Sequence, residues 1–80
     1  MKIYENTICS YIKNLKEEDN NSLFLNKKNI SKFCLKNKLF QNIQFLSLES
    51  NNLTDIEFVT SFPNLFYLNV KKNHVLSNLK

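Results

Sequence analysis

Glycine, alanine, arginine and tryptophan are all absent from the chain, and proline occurs once, at Pro63. Without glycine the chain cannot form the phosphate-binding loop of P-loop or Rossmann proteins, which needs glycine where the backbone approaches the phosphate. Two cysteines and one histidine are too few for a four-ligand zinc site, so we expect no metal and no cofactor. There is no run of about 18 apolar residues and no apolar signal region at the N-terminus. We therefore expect an intracellular protein, cytoplasmic or nuclear, that does not contact a membrane.

The residues that are present are typical of one small folded domain. Of the 80 residues, 42% are apolar and 22% are charged, which is unlike the composition of a disordered segment. Eleven lysines against seven acidic residues give a net charge of +4. This charge admits an anionic partner, although ordinary solubility is the simpler explanation.

An internal repeat runs through most of the chain. The segments 43–53 and 65–75 both fit the pattern L-x-x-L-x-L-x-x-N-x-L, and each matched residue lies 22 positions from its counterpart. The matched pairs are Ile43 and Leu65, Leu46 and Leu68, Leu48 and Val70, Asn51 and Asn73, and Leu53 and Val75. A weaker copy upstream has Leu23, Leu25 and Ile30 in the apolar positions, with Lys28 where asparagine is expected. Five matches at one spacing indicate a repeat architecture.

The pattern resembles that of leucine-rich-repeat proteins, in their short 22-residue intracellular class, over residues 20–80. The resemblance implies an α/β fold, a right-handed solenoid whose short parallel strands form the concave face, with helical or irregular turns on the other side. Both leucines of each L-x-L then point into the core, while the residue between them faces outward. Asn51 and Asn73 are predicted to be structural, because a buried amide can satisfy backbone groups that the turn leaves unpaired.

The first 20 residues differ from the repeats. Apolar side chains recur there at every third or fourth position, at Tyr4, Ile8, Tyr11 or Ile12, and Leu15. This spacing predicts an amphipathic helix within residues 1–16. We interpret residues 1–20 as a helical cap and turn at one end of the solenoid, and residues 21–80 as about two and a half repeats. No cap is evident after the last repeat, so the apolar end around Leu68 to Val70 is predicted to be open.

Binding is the function that the outward strand positions favour. Phe24, Phe45 and Tyr67 are large apolar groups at positions that the core does not require, and aromatic residues are enriched in the centres of protein interfaces. The alternative is that the N-terminal helix or a flanking chain covers some of them. The predicted partner-binding residues are Phe24, Phe45, Ser47, Glu49, Tyr67, Asn69 and Lys71.

Lysines near these aromatic residues indicate a second class of partner. Lysine binds phosphate and aromatic rings stack on bases, so RNA is an alternative. The absence of arginine limits this to contact with the RNA backbone, because bidentate recognition of guanine favours arginine. The simpler interpretation is a solvated surface. The candidate RNA-contacting residues are Lys27, Lys28, Lys32, Lys36, Lys38 and Lys72.

Catalysis is not expected. His74 is the one histidine, and it follows the repeat asparagine at a position where side chains face solvent. A nucleophilic pair would need Cys9 or Cys34 beside it. Both cysteines are expected to be buried as small apolar side chains, and we expect no disulfide between them in a chain without a secretory signal. No small-molecule substrate is expected either.

We therefore predict a non-catalytic leucine-rich-repeat interaction module, a small subunit docked in a larger assembly through its concave face and its open C-terminal end. The first alternative is a basic protein associated with a ribonucleoprotein such as the ribosome, in contact with RNA through its lysines. The second is the N-terminal fragment of a longer protein resembling the spliceosomal or the acidic nuclear leucine-rich-repeat proteins. The acidic proteins have the opposite charge balance, which counts against them.

Overall fold

The computed structural model describes residues 1–15, 21–36 and 38–74. Residues 16–20, 37 and 75–80, among them Val75 of the repeat pattern, lie outside the described residues. The elements in chain order are strand β1 (Lys2–Tyr4), helix α1 (Glu5–Lys13), strands β2 (Ser22–Phe24), β3 (Lys32–Cys34) and β4 (Phe45–Ser47), a 3₁₀ helix (Glu57–Ser61) and strand β5 (Tyr67–Asn69).

The strands form two parallel sheets. The larger sheet has the order β2-β4-β5, with β4 in the centre. Its register aligns Leu23 with Leu46 and Leu46 with Leu68, which are residues that the repeat pattern places in equivalent positions. Parallel strands need a crossover between them, and the segments after β2 and β4 provide these connections on the core side. The smaller sheet pairs β1 with β3.

The core is built from the apolar positions of the repeat pattern. Leu46 and Leu48 have no exposed surface, and their counterparts Leu23 and Leu25 are equally buried. Each such side chain contributes roughly 1.5–3 kcal/mol by its removal from water. The buried core residues are Ile3, Ile8, Leu23, Leu25, Ile30, Phe40, Ile43, Leu46, Leu48, Leu53, Phe58 and Phe62.

The N-terminal segment differs in part from the sequence prediction. The predicted helix is present but occupies only Glu5–Lys13, because the residues before it form β1 beside β3. Ile3 on β1 is buried, whereas Tyr4, predicted to lie on the buried face of the helix, has an extended backbone and is 55% exposed. Burial of Ile3 and the hydrogen bonds to β3 outweigh one further turn of helix. Ile8 joins the same core as β2.

Three turns after the strands of the larger sheet adopt the same left-handed backbone. Lys27, Ser50 and Lys72 have φ angles of 56°, 61° and 58°, and they follow β2, β4 and β5 at the repeat spacing. Residues other than glycine are strained in this region by roughly 1–2 kcal/mol. The chain has no glycine, so it carries this cost at every one of these turns.

Replacement of Ser50 by glycine is expected to raise the free energy of unfolding by about 0.5–1 kcal/mol. Glycine removes the backbone strain of the folded state, and this gain exceeds the free energy by which its greater conformational entropy stabilises the unfolded chain. Urea denaturation measures the change. The matched control is Ser22→Gly on β2, where the same substitution should destabilise the protein by a similar amount. A loss of stability in both variants would contradict the left-handed turn.

Candidate interaction surface

Three aromatic side chains lie side by side on the outer face of the larger sheet, the face turned away from the core. We call Phe24, Phe45 and Tyr67 the aromatic row. The ring centroids of Phe45 and Tyr67 are 4.2 Å apart with an interplanar angle of 12°, and those of Phe24 and Phe45 are 5.5 Å apart at 45°. Phe24 is 59% exposed and Tyr67 is 42% exposed. The row is thus a continuous apolar strip open to solvent.

The register of the sheet explains the contacts in the row. Phe45 stands directly opposite Tyr67, so their rings stack. Phe24 stands opposite Ser47 and reaches Phe45 diagonally, a contact within the reach of aromatic side chains. The alternation of L-x-L predicted that these residues face outward. Neither the diagonal contact nor the stacking could be read from the sequence.

Ser47, a predicted partner-binding residue, is buried in the structure. It is only 4% exposed because it lies on the central strand with polar side chains on both sides. Its hydroxyl donates to Oδ1 of Asn26 at 2.8 Å and accepts from Nδ2 of Asn69 at 3.3 Å. Ser47 therefore holds neighbouring repeats together and offers little surface to a partner.

Glu49 and Asn69 belong to the same polar network. Oε1 of Glu49 accepts from Nδ2 of Asn69 at 3.1 Å, and the backbone N–H of Glu49 donates to Oδ1 of Asn26 at 2.8 Å. Both predicted binding residues are half-buried. Lys71 is exposed, and its backbone N–H donates to Oδ1 of Asn69 at 3.0 Å. Asn26, absent from the predicted set, thus anchors one side of the surface.

The six candidate RNA-contacting lysines are spread over three regions. Lys27, Lys28 and Lys72 lie in the turns after β2 and β5, Lys32 lies on β3, and Lys36 and Lys38 lie in the segment that follows β3. Two of them contact aromatic rings of the chain itself. Nζ of Lys28 is 5.5 Å from the ring centroid of Tyr11, and that of Lys38 is 5.8 Å from the ring centroid of Phe40.

Asn51 supports the surface from inside the sheet. Its Oδ1 accepts from the backbone N–H groups of Lys28 and Ile30, both at 3.0 Å. Its Nδ2 donates to the carbonyl oxygens of Leu25 and Leu48, both at 2.9 Å. These four bonds are to the backbone, and three of them reach the preceding repeat, while a longer bond of 3.5 Å joins Nδ2 to Glu49 O.

Asn73 makes the corresponding bonds one repeat later. Its Nδ2 donates to Leu48 O at 2.8 Å and Val70 O at 3.0 Å, and its Oδ1 accepts from the N–H of Leu53 at 2.9 Å. It is half-buried, whereas Asn51 is buried. The two side chains connect three consecutive strands of the larger sheet.

The cysteines and the histidine lie on different elements. Cys9 lies on α1 and Cys34 on β3, and both are half-buried with free thiols, so they are less buried than expected. Cys9 packs against the buried core. His74 is exposed, beyond β5. A groove of about 260 Å³ between α1 and the segment 38–43 is lined mainly by apolar groups.

Within residues 1–15, 21–36 and 38–74, no group of three or more His, Cys, Asp or Glu side chains is placed to hold a metal ion. No helix in that part of the chain is long and apolar enough to span a membrane. No protein-family model, no curated protein and no solved structure matches the chain.

Proposed function

We propose that the chain is a non-catalytic interaction module of the leucine-rich-repeat type, which docks as a small subunit in a larger assembly through its concave face, to which we assign the outer face of the larger sheet, and through its open C-terminal end. The repeat type is supported by two recurring features. Equivalent residues stand side by side in the sheet at intervals of 23 and 22 positions. Asn51 and Asn73 bond to equivalent carbonyl groups of the preceding repeat, those of Leu25 and Leu48.

The exposed aromatic row is the observation that carries the proposed binding role. Phe24 and Tyr67 keep large parts of their rings in water and do not belong to the buried core. Burial of such groups against a partner is worth roughly 1.5–3 kcal/mol each. Aromatic anchors of this kind dominate the binding energy of protein interfaces. The row is therefore a part of the described surface that would gain from a partner.

The ring geometry favours a protein partner over RNA. Bases bind to aromatic side chains by stacking on a free ring face. Phe45 has Phe24 on one side and Tyr67 on the other, at 5.5 Å and 4.2 Å, so a base could enter only by separating them. The exposed apolar surface of Phe24 and Tyr67 suits apolar side chains of a protein. The distribution of the lysines over three regions also provides no single track for a phosphate backbone.

Replacement of Tyr67 by alanine is expected to weaken binding of the protein partner about tenfold, because the variant loses a partly exposed anchor of the row. Partners captured from cells on the immobilised full chain are identified first, and their affinity is then measured by calorimetry. The matched control is Tyr4→Ala, since Tyr4 is an exposed aromatic residue on the smaller sheet and should leave the affinity unchanged.

Two results would count against this function. Equal affinity of the wild type and Tyr67→Ala would remove the aromatic row from the interface. Loss of all captured partners after RNase treatment would favour the ribonucleoprotein alternative. Near-native circular dichroism of Tyr67→Ala is required in both cases, so that unfolding is not mistaken for lost contact.

A further inference from the structure

The aromatic row is followed along the strands by hydrogen-bonded polar side chains. The polar network consists of Asn26, Ser47, Glu49 and Asn69, and each of Asn26, Ser47 and Asn69 comes two positions after an aromatic residue of the row. The hydroxyl of Ser47 bonds to Asn26 and Asn69, and Oε1 of Glu49 accepts from Asn69. The row and the network therefore form one surface that is apolar toward the start of the strands and polar toward their carboxyl ends.

Two exposed lysines border the polar network on opposite sides. The N–H of Lys27, in the turn after β2, donates to Glu49 O at 3.0 Å. The N–H of Lys71, just after β5, donates to Oδ1 of Asn69 at 3.0 Å. The residue after each of them is a second exposed lysine. Backbone hydrogen bonds to the network thus hold cationic residues on both flanks of the surface.

Few carboxylates balance these lysines. Glu49 is the acidic residue of the polar network, and it is half-buried and bonded to Asn69. The other acidic residues that the structure describes lie on different elements, Glu5 on α1, Asp55 before the 3₁₀ helix and Glu57 on it. Within the described part of the chain, the carboxyl end of the larger sheet therefore has a net positive charge beside an apolar strip.

We propose that the outer face binds an acidic segment of a partner protein, whose apolar side chains pack on the aromatic row and whose carboxylates reach the lysines beside the polar network. This deepens the proposed function by naming the chemistry of the partner, and it rests on the row as the binding surface. Each half of the surface then meets its complement. Charge complementarity of this kind contributes chiefly to specificity and to the rate of association.

A basic segment and an RNA each satisfy less of this surface. A basic side chain beside the row would face like charges at Lys27 and Lys71, while Glu49 is already engaged by Asn69. The phosphates of RNA would satisfy the lysines, but its bases would find both sides of the Phe45 ring occupied within the row. An acidic protein segment places an apolar group on the row and a carboxylate on each flank.

Selection of a random peptide library on the immobilised full chain tests the chemistry of the partner. We expect the selected peptides to combine apolar side chains with an excess of Asp and Glu. One selected peptide is then labelled, and its affinity is measured by fluorescence anisotropy beside a copy in which Asn and Gln replace the acidic residues. The amide copy should bind about tenfold more weakly. Salt at about 0.5 M should remove most of this difference, because it screens exposed charges.

Charge reversal on the chain tests the same contact from the other side. The variants Lys27→Glu and Lys71→Glu, one on each flank, should each bind the acidic peptide about tenfold more weakly than the wild type. The matched control is Lys2→Glu, which changes the net charge equally but at an exposed residue of β1 in the smaller sheet, and should leave the affinity unchanged. Circular dichroism of each variant checks that the fold is retained.

Selected peptides without an acidic excess would overturn the proposal, as would a library that yields no binder. Equal affinity of the acidic peptide and its amide copy, or equal weakening by Lys2→Glu, would also overturn it. A uridine oligonucleotide that binds more tightly than the peptide, and that both flank variants weaken, would indicate RNA instead.

The response to Tyr67→Ala distinguishes failure of this inference from failure of the proposed function. Weakening of a selected peptide that carries no acidic excess would leave the aromatic row as the binding surface and remove only the acidic partner. Selected peptides that bind Tyr67→Ala as tightly as the wild type would overturn both.

Discussion

Replacement of Asn51 by alanine is expected to lower the free energy of unfolding by about 3–4 kcal/mol, enough to unfold much of a small domain under mild conditions. The side chain is 4% exposed, and its amide bonds to two backbone N–H groups and two backbone carbonyls. Alanine leaves these groups without partners in a region that water reaches poorly. Urea denaturation followed by circular dichroism measures the loss.

The control for this variant is Asn42→Ala, an exposed asparagine just before the buried Ile43, which should change the stability by less than about 0.5 kcal/mol. The variant Asn51→Asp separates the effect of lost side-chain volume from the effect of lost hydrogen bonds. It keeps the size of the side chain but directs a carboxylate at the carbonyls of Leu25 and Leu48, so we expect it to be at least as destabilising as alanine. A fully stable Asn51→Asp variant would show that the amide donor is not needed.

Replacement of Ile8 by alanine is expected to cost about 2–4 kcal/mol, the range for large-to-small changes in a rigid core. Ile8 has no exposed surface and packs in the same cluster as Leu23 and Leu25. The loss would show that α1 is part of the single core and not a detachable cap. Thermal and urea unfolding should remain one cooperative transition.

The control for Ile8 is Thr7→Ala on the exposed face of the same helix. Alanine has the higher helix propensity, so this variant should be neutral or slightly more stable. If Ile8→Ala instead kept the stability of the wild type while only the helix signal decreased, α1 would unfold independently and the integrated core would be wrong.

The repeat pattern predicts which residues lie in the core of the larger sheet on β2 and β4. The alternation at Leu23 and Leu25, and at Leu46 and Leu48, predicts inward side chains, and all four are buried. The spacing of 22 also predicted which strands stand side by side. This periodicity involves residues that are close together in the chain. It therefore predicts the buried side chains of a strand or helix in any fold that buries one face of that element. The amphipathic spacing predicted α1 for the same reason.

The tertiary structure alone decided what stands beside each residue. The pairing of β1 with β3 joins segments 30 positions apart, and no local pattern marks it. The sequence pattern places Ser47 on the outer face, yet it is hydrogen-bonded to Asn26, which follows β2, and to Asn69 on β5. The sequence offers Lys28 and Lys38 as cations for RNA, yet the ammonium group of each lies near an aromatic ring of the chain itself.

The absence of glycine, which excludes phosphate-binding loops, also means that residues with a Cβ atom occupy the left-handed turns. The left-handed turn at Ser50 shows that backbone conformation there is imposed by the hydrogen bond from its N–H to Lys71 O and not by the residue's own preference. Exposure, stacking and strain depend on neighbours that only folding brings together. For that reason the sequence predicts Phe24, Phe45 and Tyr67 as binding residues, whereas the contacts between their rings are known only from the folded structure.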